Sequence, residues 1–226
     1  IGVIKLDTNF KRILGDIGNV NTWDFPVIYE TMEGIIPEKA VFHTDYEILI
    51  KAKEAAKILE EKGVSAITTS CGFLGKYQKK ISNYVKIPVF TSSLLQIPLV
   101  YMLLNKDIKI GVLSANSKSL TKEHLAGCDI KDIPLIIKGM EDYEYFQEVF
   151  IRDQLRYFDR DIIQAEIIEA VIDLKKCCNN LGAVVLECTN MPPYAYSIKE
   201  IVNLPVFDIY TLMNWVYSGL LKQKFD

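Results

Sequence analysis

The feature that most constrains this chain is that its second half repeats its first. At an offset of 117 positions, Ala66, Cys71, Tyr77, Ile81, Val85, Pro88, Val89, Phe90 and Leu95 recur as Ala183, Cys188, Tyr194, Ile198, Val202, Pro205, Val206, Phe207 and Leu212. These are 9 identities in the 32 positions from Val64 to Leu95, where ordinary composition gives roughly two. Self-similarity at a fixed offset marks a duplicated structural unit. Ile1-Gly2-Val3 and Ile110-Gly111-Val112 read as the first strands of the two units at a slightly shorter offset. A short insertion in the second unit, such as Asp142 to Arg160, accounts for the difference.

Each unit alternates short β-branched runs with longer amphipathic segments. Gly2 to Lys5, Val64 to Thr69, Ile87 to Thr91, Lys109 to Ser114, Pro134 to Ile137, Ala183 to Glu187 and Leu204 to Asp208 read as buried strands. Such alternation implies parallel sheets covered by helices. Thr44 with Glu47 forms a capping box ahead of Ile48, Leu49, Ala52, Ala55, Ala56 and Leu59, and Gly63 stops that helix. A matching helix from about Asp161 to Cys178 gathers Ile163, Ile167, Ala170, Val171 and Leu174 on one face. Asp142 to Arg160, rich in charge and aromatics, is expected to be one or two helices across a surface. The predicted fold is α/β with two pseudo-symmetric lobes, each a parallel sheet flanked by helices, and a site in the cleft between them. Lobe 1 is taken as residues 1–95 plus 210–226, and lobe 2 as 96–209.

Composition narrows the function classes. With 26 basic against 29 acidic residues and a net charge of -3, no patch suits a phosphate backbone, so no nucleic-acid partner is expected. Val89 to Leu104 is the most apolar window, but it contains Thr91, Ser92, Ser93, Gln96 and Pro98 and is too short to span a bilayer, so no membrane partner is expected either. The chain opens on Ile1, in what reads as a strand, without the pattern of a secretory leader. Five cysteines, an odd count, argue against a disulfide framework and for a reducing, cytoplasmic setting. The two histidines have no metal-ligand spacing with any cysteine, so no metal is expected.

The repeat puts two of the cysteines in the same slot. Cys71 and Cys188 each follow a predicted buried strand and precede a helix, at the edge where open parallel sheets bind ligands. A thiol at a helix N-terminus is expected to have a lowered pKa. Two such thiols facing each other across a cleft can remove a proton from one face of a carbon and deliver one to the other, with no cofactor. Two small buried hydrophobes are the bland alternative, and the matched repeat positions weigh against it. Around the thiols, Asp7, Thr8 and Asn9 follow one first strand, and Ser114, Asn116 and Ser117 follow the other. Short polar side chains there hold carboxylates, although they also cap helices and make turns. Glu187 either orients substrate beside Cys188 or points outward to pair with a lysine.

The segments Thr69-Ser70-Cys71, Gly111-Val112-Leu113-Ser114-Ala115-Asn116-Ser117 and Leu186-Glu187-Cys188-Thr189-Asn190-Met191-Pro192-Pro193-Tyr194 resemble those of the cofactor-independent aspartate/glutamate racemase superfamily. That superfamily also contains hydantoin racemases, maleate isomerases and arylmalonate decarboxylases. The resemblance implies a pseudo-symmetric two-lobed fold, Cys71 and Cys188 as acid and base, and no cofactor. It departs at Gly72-Phe73, where amino-acid racemases of the family carry Asn-Thr, and at Glu187, where they carry Gly. The Gly72-Phe73 pair is read as a small gap and an apolar surface beside the substrate. The expected function is a racemase or epimerase of a small carboxylate, such as aspartate or glutamate, in a chain compatible with a homodimer. A maleate-isomerase-like or decarboxylase-like enzyme, or a silent ligand-binding protein, is the alternative. The expected substrate-binding residues are Asp7, Asn9, Ser70, Gly72, Phe73, Ser114, Asn116, Ser117, Glu187, Thr189 and Asn190.

Overall fold

Each half of the chain builds one four-stranded parallel sheet, in a computed structural model that describes residues 1–43, 46–105, 107–154, 157–222 and 224–225. The first sheet comprises β1 (Gly2–Leu6), β2 (Ile28–Met32), β3 (Ile67–Thr69) and β4 (Val89–Phe90) in the order β2-β1-β3-β4. The second comprises β5 (Lys109–Ser114), β6 (Leu135–Gly139), β7 (Leu181–Leu186) and β8 (Val206–Phe207) in the order β6-β5-β7-β8. The two orders are the same, so the sequence repeat is a repeat of topology. It also aligns β3 with β7 and therefore Cys71 with Cys188.

The helices form where periodicity places them. Tyr46–Glu61 buries Ile48, Leu49, Ala52, Ala55, Ala56 and Leu59, the predicted face. Gly63 follows at φ +80°, a left-handed conformation that glycine adopts without strain. Thr44, half of the predicted capping box, lies outside the described residues. The later helix, Arg160–Lys176, buries Ile163, Ile167, Ala170, Val171 and Leu174. Asp159 caps it by accepting hydrogen bonds from the Asp161 and Ile162 N–H groups at 2.9 and 3.3 Å.

The segment after Asp142 departs from expectation. Instead of lying across a surface, it buries Phe146, Gln147, Val149, Phe150 and Ile151. From Gln147 to Ile151 the backbone widens, and the Arg152 N–H donates to the Gln147 carbonyl at 2.9 Å. Aromatic contacts anchor the segment in the core: Phe150 meets Phe10, Phe146 and Phe158 edge-on, with ring centroids 5.1, 5.0 and 6.3 Å away. Among the described residues no helix is long and apolar enough to cross a membrane.

Candidate active site

Cys71 and Cys188 line one cleft. It is narrow, with a cavity volume of about 30 Å³, and is walled by Thr8, Phe10, Arg12, Phe73, Phe150 and Glu187 as well as the thiols, with Ser70, Gly72, Thr189 and Asn190 beside them. Topology brings the thiols together, because β3 and β7 each end at the carboxyl edge of their sheet and the chain turns sharply there. Hydrogen bonds across the lobes hold the edges in register. The Thr189 hydroxyl donates to the Ser70 carbonyl at 2.6 Å, and the Ser93 hydroxyl donates to the Leu186 carbonyl at 2.6 Å. The Asn190 amide donates to Asp16 at 2.8 Å.

The thiols are not activated as the sequence suggested. Burial, and then the charge of Glu187, push Cys71 up to about 12 and Cys188 well above 9. The helices that follow them are short, Gly72–Tyr77 after Cys71 and Pro192–Tyr194 after Cys188. The N–H groups of Phe73 and Leu74 favour a Cys71 thiolate, and that of Asn190 favours a Cys188 thiolate, but they do not offset desolvation. The resting site therefore holds two neutral thiols. Cys188 donates weakly to the Asn190 side chain, at 3.5 Å.

Glu187 points inward. Its Oε2 accepts from the Ser114 hydroxyl at 2.8 Å and from the Ala115 N–H at 3.2 Å, while its buried Oε1 has no hydrogen-bond partner. Burial raises its carboxyl to about 7, against the lowering effect of those two donors. Gly72 makes the room. A Cβ at position 72 would lie 2.3 Å from Glu187 Oε1 and 2.4 Å from the Glu187 carbonyl. The gap expected at Gly72 is thus occupied by the carboxylate, and Phe73, 2% exposed, packs edge-on against His124.

The other expected residues divide. Ser70, Thr189 and Asn190 line the cleft. Ser114 acts one step back, through Glu187. The remaining four do not line it: Asp7 accepts from the Gly34 N–H at 2.9 Å, the exposed Asn9 donates its backbone N–H to Asp153 at 2.6 Å, Asn116 accepts from the Ser119 N–H at 2.9 Å, and Ser117 bonds Glu141. Sequence reasoning missed Phe10, Arg12 and Phe150. Arg12 donates to Asp16 at 2.8 Å and to the Thr8 hydroxyl at 2.9 Å, with its guanidinium 4.5 Å from the Phe10 ring centroid. Two of its five N–H donors are thereby named, and its fork geometry suits a carboxylate. Arg12 lies in a loop without periodicity, so only its type, an arginine soon after a first strand, could have flagged it.

No protein-family model matches the chain. Among curated proteins, it is 30% identical over 233 residues to dimethylsulfoniopropionate lyase 7 of Emiliania huxleyi, covering 98% of this chain and 67% of that protein. It is 29% identical over 228 residues to the dimethylsulfoniopropionate lyase of Durusdinium sp. clade D, covering 98% and 75%. Of another relative, dimethylsulfoniopropionate lyase 3 of Emiliania huxleyi, the chain spans only 60% of the length. Among solved structures, allantoin racemase from Klebsiella pneumoniae superposes with a TM-score of 0.64 at 12% identity, covering 99% of this chain and 90% of that one. The aspartate racemase of Picrophilus torridus superposes at 0.59 and 19% identity, covering 99% and 95%. The fold is that of the aspartate/glutamate racemase superfamily, as the resemblance implied. The expectation of an amino-acid racemase, an isomerase, is overturned, because the relatives that match nearly the whole chain are named lyases.

Proposed function

Because the chain belongs to the family of the dimethylsulfoniopropionate lyases, we propose that it is itself a lyase that expels a dialkyl sulfide from a small sulfonium carboxylate. One thiolate, Cys71 or Cys188, takes the proton on the carbon next to the carboxylate. That C–H pair becomes the new C=C bond, the C–S bond breaks, and its electrons leave on sulfur as a neutral sulfide. With dimethylsulfoniopropionate the products are dimethyl sulfide and acrylate, and the proton on the thiol passes to solvent. The reaction needs one base, so the second thiol is free to orient the substrate.

The observation that carries this reading is that both cysteines line one cleft in a chain of that family. The rest of the cleft supports it. Arg12 supplies a fork for the carboxylate, and Phe10 and Phe150 supply apolar surface for the alkyl groups. A substrate cation beside neutral thiols favours their ionisation, which a buried pair otherwise resists. The five cysteines are free, which supports a reducing, cytoplasmic setting.

The test is headspace gas chromatography of dimethyl sulfide, with acrylate measured in the same vial. The wild type is expected to release the two in equal amounts. Cys71→Ser or Cys188→Ser is expected to lower kcat by about 10²–10⁴-fold, the usual worth of a positioned base. Release no faster than the blank by wild-type protein, or full activity in both variants, would refute the assignment.

A further inference from the structure

The elimination described above leaves Glu187 without a task, yet its placement is costly. A buried carboxylate oxygen with no donor forfeits its hydration and gains nothing in return. Oε2 is held by Ser114 and Ala115, so the orientation of the group is fixed and Oε1 is left bare. Position 72 must be glycine for Oε1 to sit there, since a Cβ would come within 2.3 Å of it. Glu187 and both thiols line the same cleft.

We propose that Glu187 determines specificity for a cationic leaving group, its bare Oε1 facing the onium centre while Arg12 faces the carboxylate; the identity of that centre as a leaving group rests on the lyase reading. The chemistry of the cation fits the site. A fully alkylated sulfonium has no N–H or O–H to donate, so it is recognised by charge and apolar contact alone. A carboxylate oxygen without protein donors, in a cleft also lined by Phe10 and Phe150, offers both. The arrangement also explains the resting thiols. Burial, and after it the charge of Glu187, keeps Cys71 and Cys188 protonated in the empty site, and an onium bound against Oε1 offsets the second of these effects.

The test measures binding and needs no turnover. One probe is 3-(trimethylammonio)propionate, a fixed cation without N–H; the other is its neutral isostere, with a tert-butyl carbon in place of the onium nitrogen. By isothermal titration at about pH 8.5, where Glu187 is ionised, the wild type is expected to prefer the onium by roughly tenfold to a hundredfold. Glu187→Gln, checked for folding by its thermal melt, is expected to lose at least about tenfold of that preference. No preference in the wild type, or the same preference in folded Glu187→Gln, overturns the proposal.

Should Glu187→Gln not fold, the wild type provides the second measurement. Its onium preference should widen between about pH 5.5 and 8.5 as Glu187 ionises, and a preference that stays flat overturns the proposal. Other groups near Glu187 do not mimic this. Burial holds Cys71 and Cys128 up to about 12 and Cys188 well above 9, so all three stay neutral; His124, pushed down to about 4, is neutral throughout. Arg12 lies in the same cleft, and the charges of Asp16 and Lys76 bear on Cys188 and Cys71. The two readings fail separately: onium preference without sulfide release rejects the lyase, and sulfide release without onium preference rejects the role of Glu187.

Discussion

Gly72 and Glu187 interlock across the two lobes, and the site depends on that contact. Any side chain at 72 meets both the Glu187 carboxylate and its main-chain carbonyl, and the carbonyl cannot swing away. Gly72→Ala is therefore expected to cost about 1–3 kcal/mol of stability through overpacking, and to abolish most sulfide release by displacing Oε1. A thermal melt and the headspace assay check the two effects, and an alanine variant as stable and active as wild type would show that the contact is slack. Gly72 was visible in the sequence as a departure, but its meaning was not. One chain position cannot show that a carboxylate just past a strand, 115 residues later, fills the space. The thiols show the same limit: the repeat located them, but their protonation is set by burial and by Glu187, which only the assembled cleft reveals.

The elements legible in the sequence are those whose apolar residues recur with a period. The buried faces of Tyr46–Glu61 and Arg160–Lys176 were read residue for residue, and Lys109–Ser114 to its ends, because helix stripes and continuous buried strands leave a strong pattern. Strand β2, Ile28–Met32, was missed. It lies at the edge of its sheet with mainly Met32 buried, so Tyr29, Glu30 and Thr31 show no apolar run. The segment from Gln147 to Ile151 was misplaced because a widened turn breaks the helical period just where its side chains enter the core. That turn delivers Phe150 to the cleft wall. Phe150→Ala is expected to cost about 3–5 kcal/mol, the usual loss for a buried phenylalanine, and to raise KM for the sulfonium substrate more than it lowers kcat. Urea unfolding and steady-state kinetics measure the two. A small stability loss would mean that Phe10, Phe146 and Phe158 close over the gap; an unchanged KM would remove Phe150 from the binding surface.

At the scale of the molecule, duplication gives two sheets of one topology, and a cleft between them that holds a buried carboxyl. Two buried carboxyls are raised by desolvation, Glu187 in the cleft to about 7 and Asp208, the capping residue of helix Ile209–Leu220, to about 6. The sign of their effect follows from proton binding. In the unfolded chain these groups release their protons near their ordinary values, 4.5 and 3.8, while the folded protein still holds them. Between those values and about 6 to 7 the native state binds more protons, so stability falls as pH rises. Above about 7 both states are ionised and the deficit is constant; for Glu187 it is on the order of 3 kcal/mol. The carboxylate that we assign to onium recognition is thus a net destabiliser of the empty protein. Glu187→Gln, which keeps an acceptor for Ser114 and Ala115, is expected to melt at a higher temperature than wild type at about pH 8, and to match it more closely at about pH 4.5, where the wild-type carboxyl is protonated when folded. Melts at the two pH values, without ligand, decide it: a variant less stable than wild type at the higher pH would mean that Glu187 is held by favourable contacts and is not strained toward a ligand.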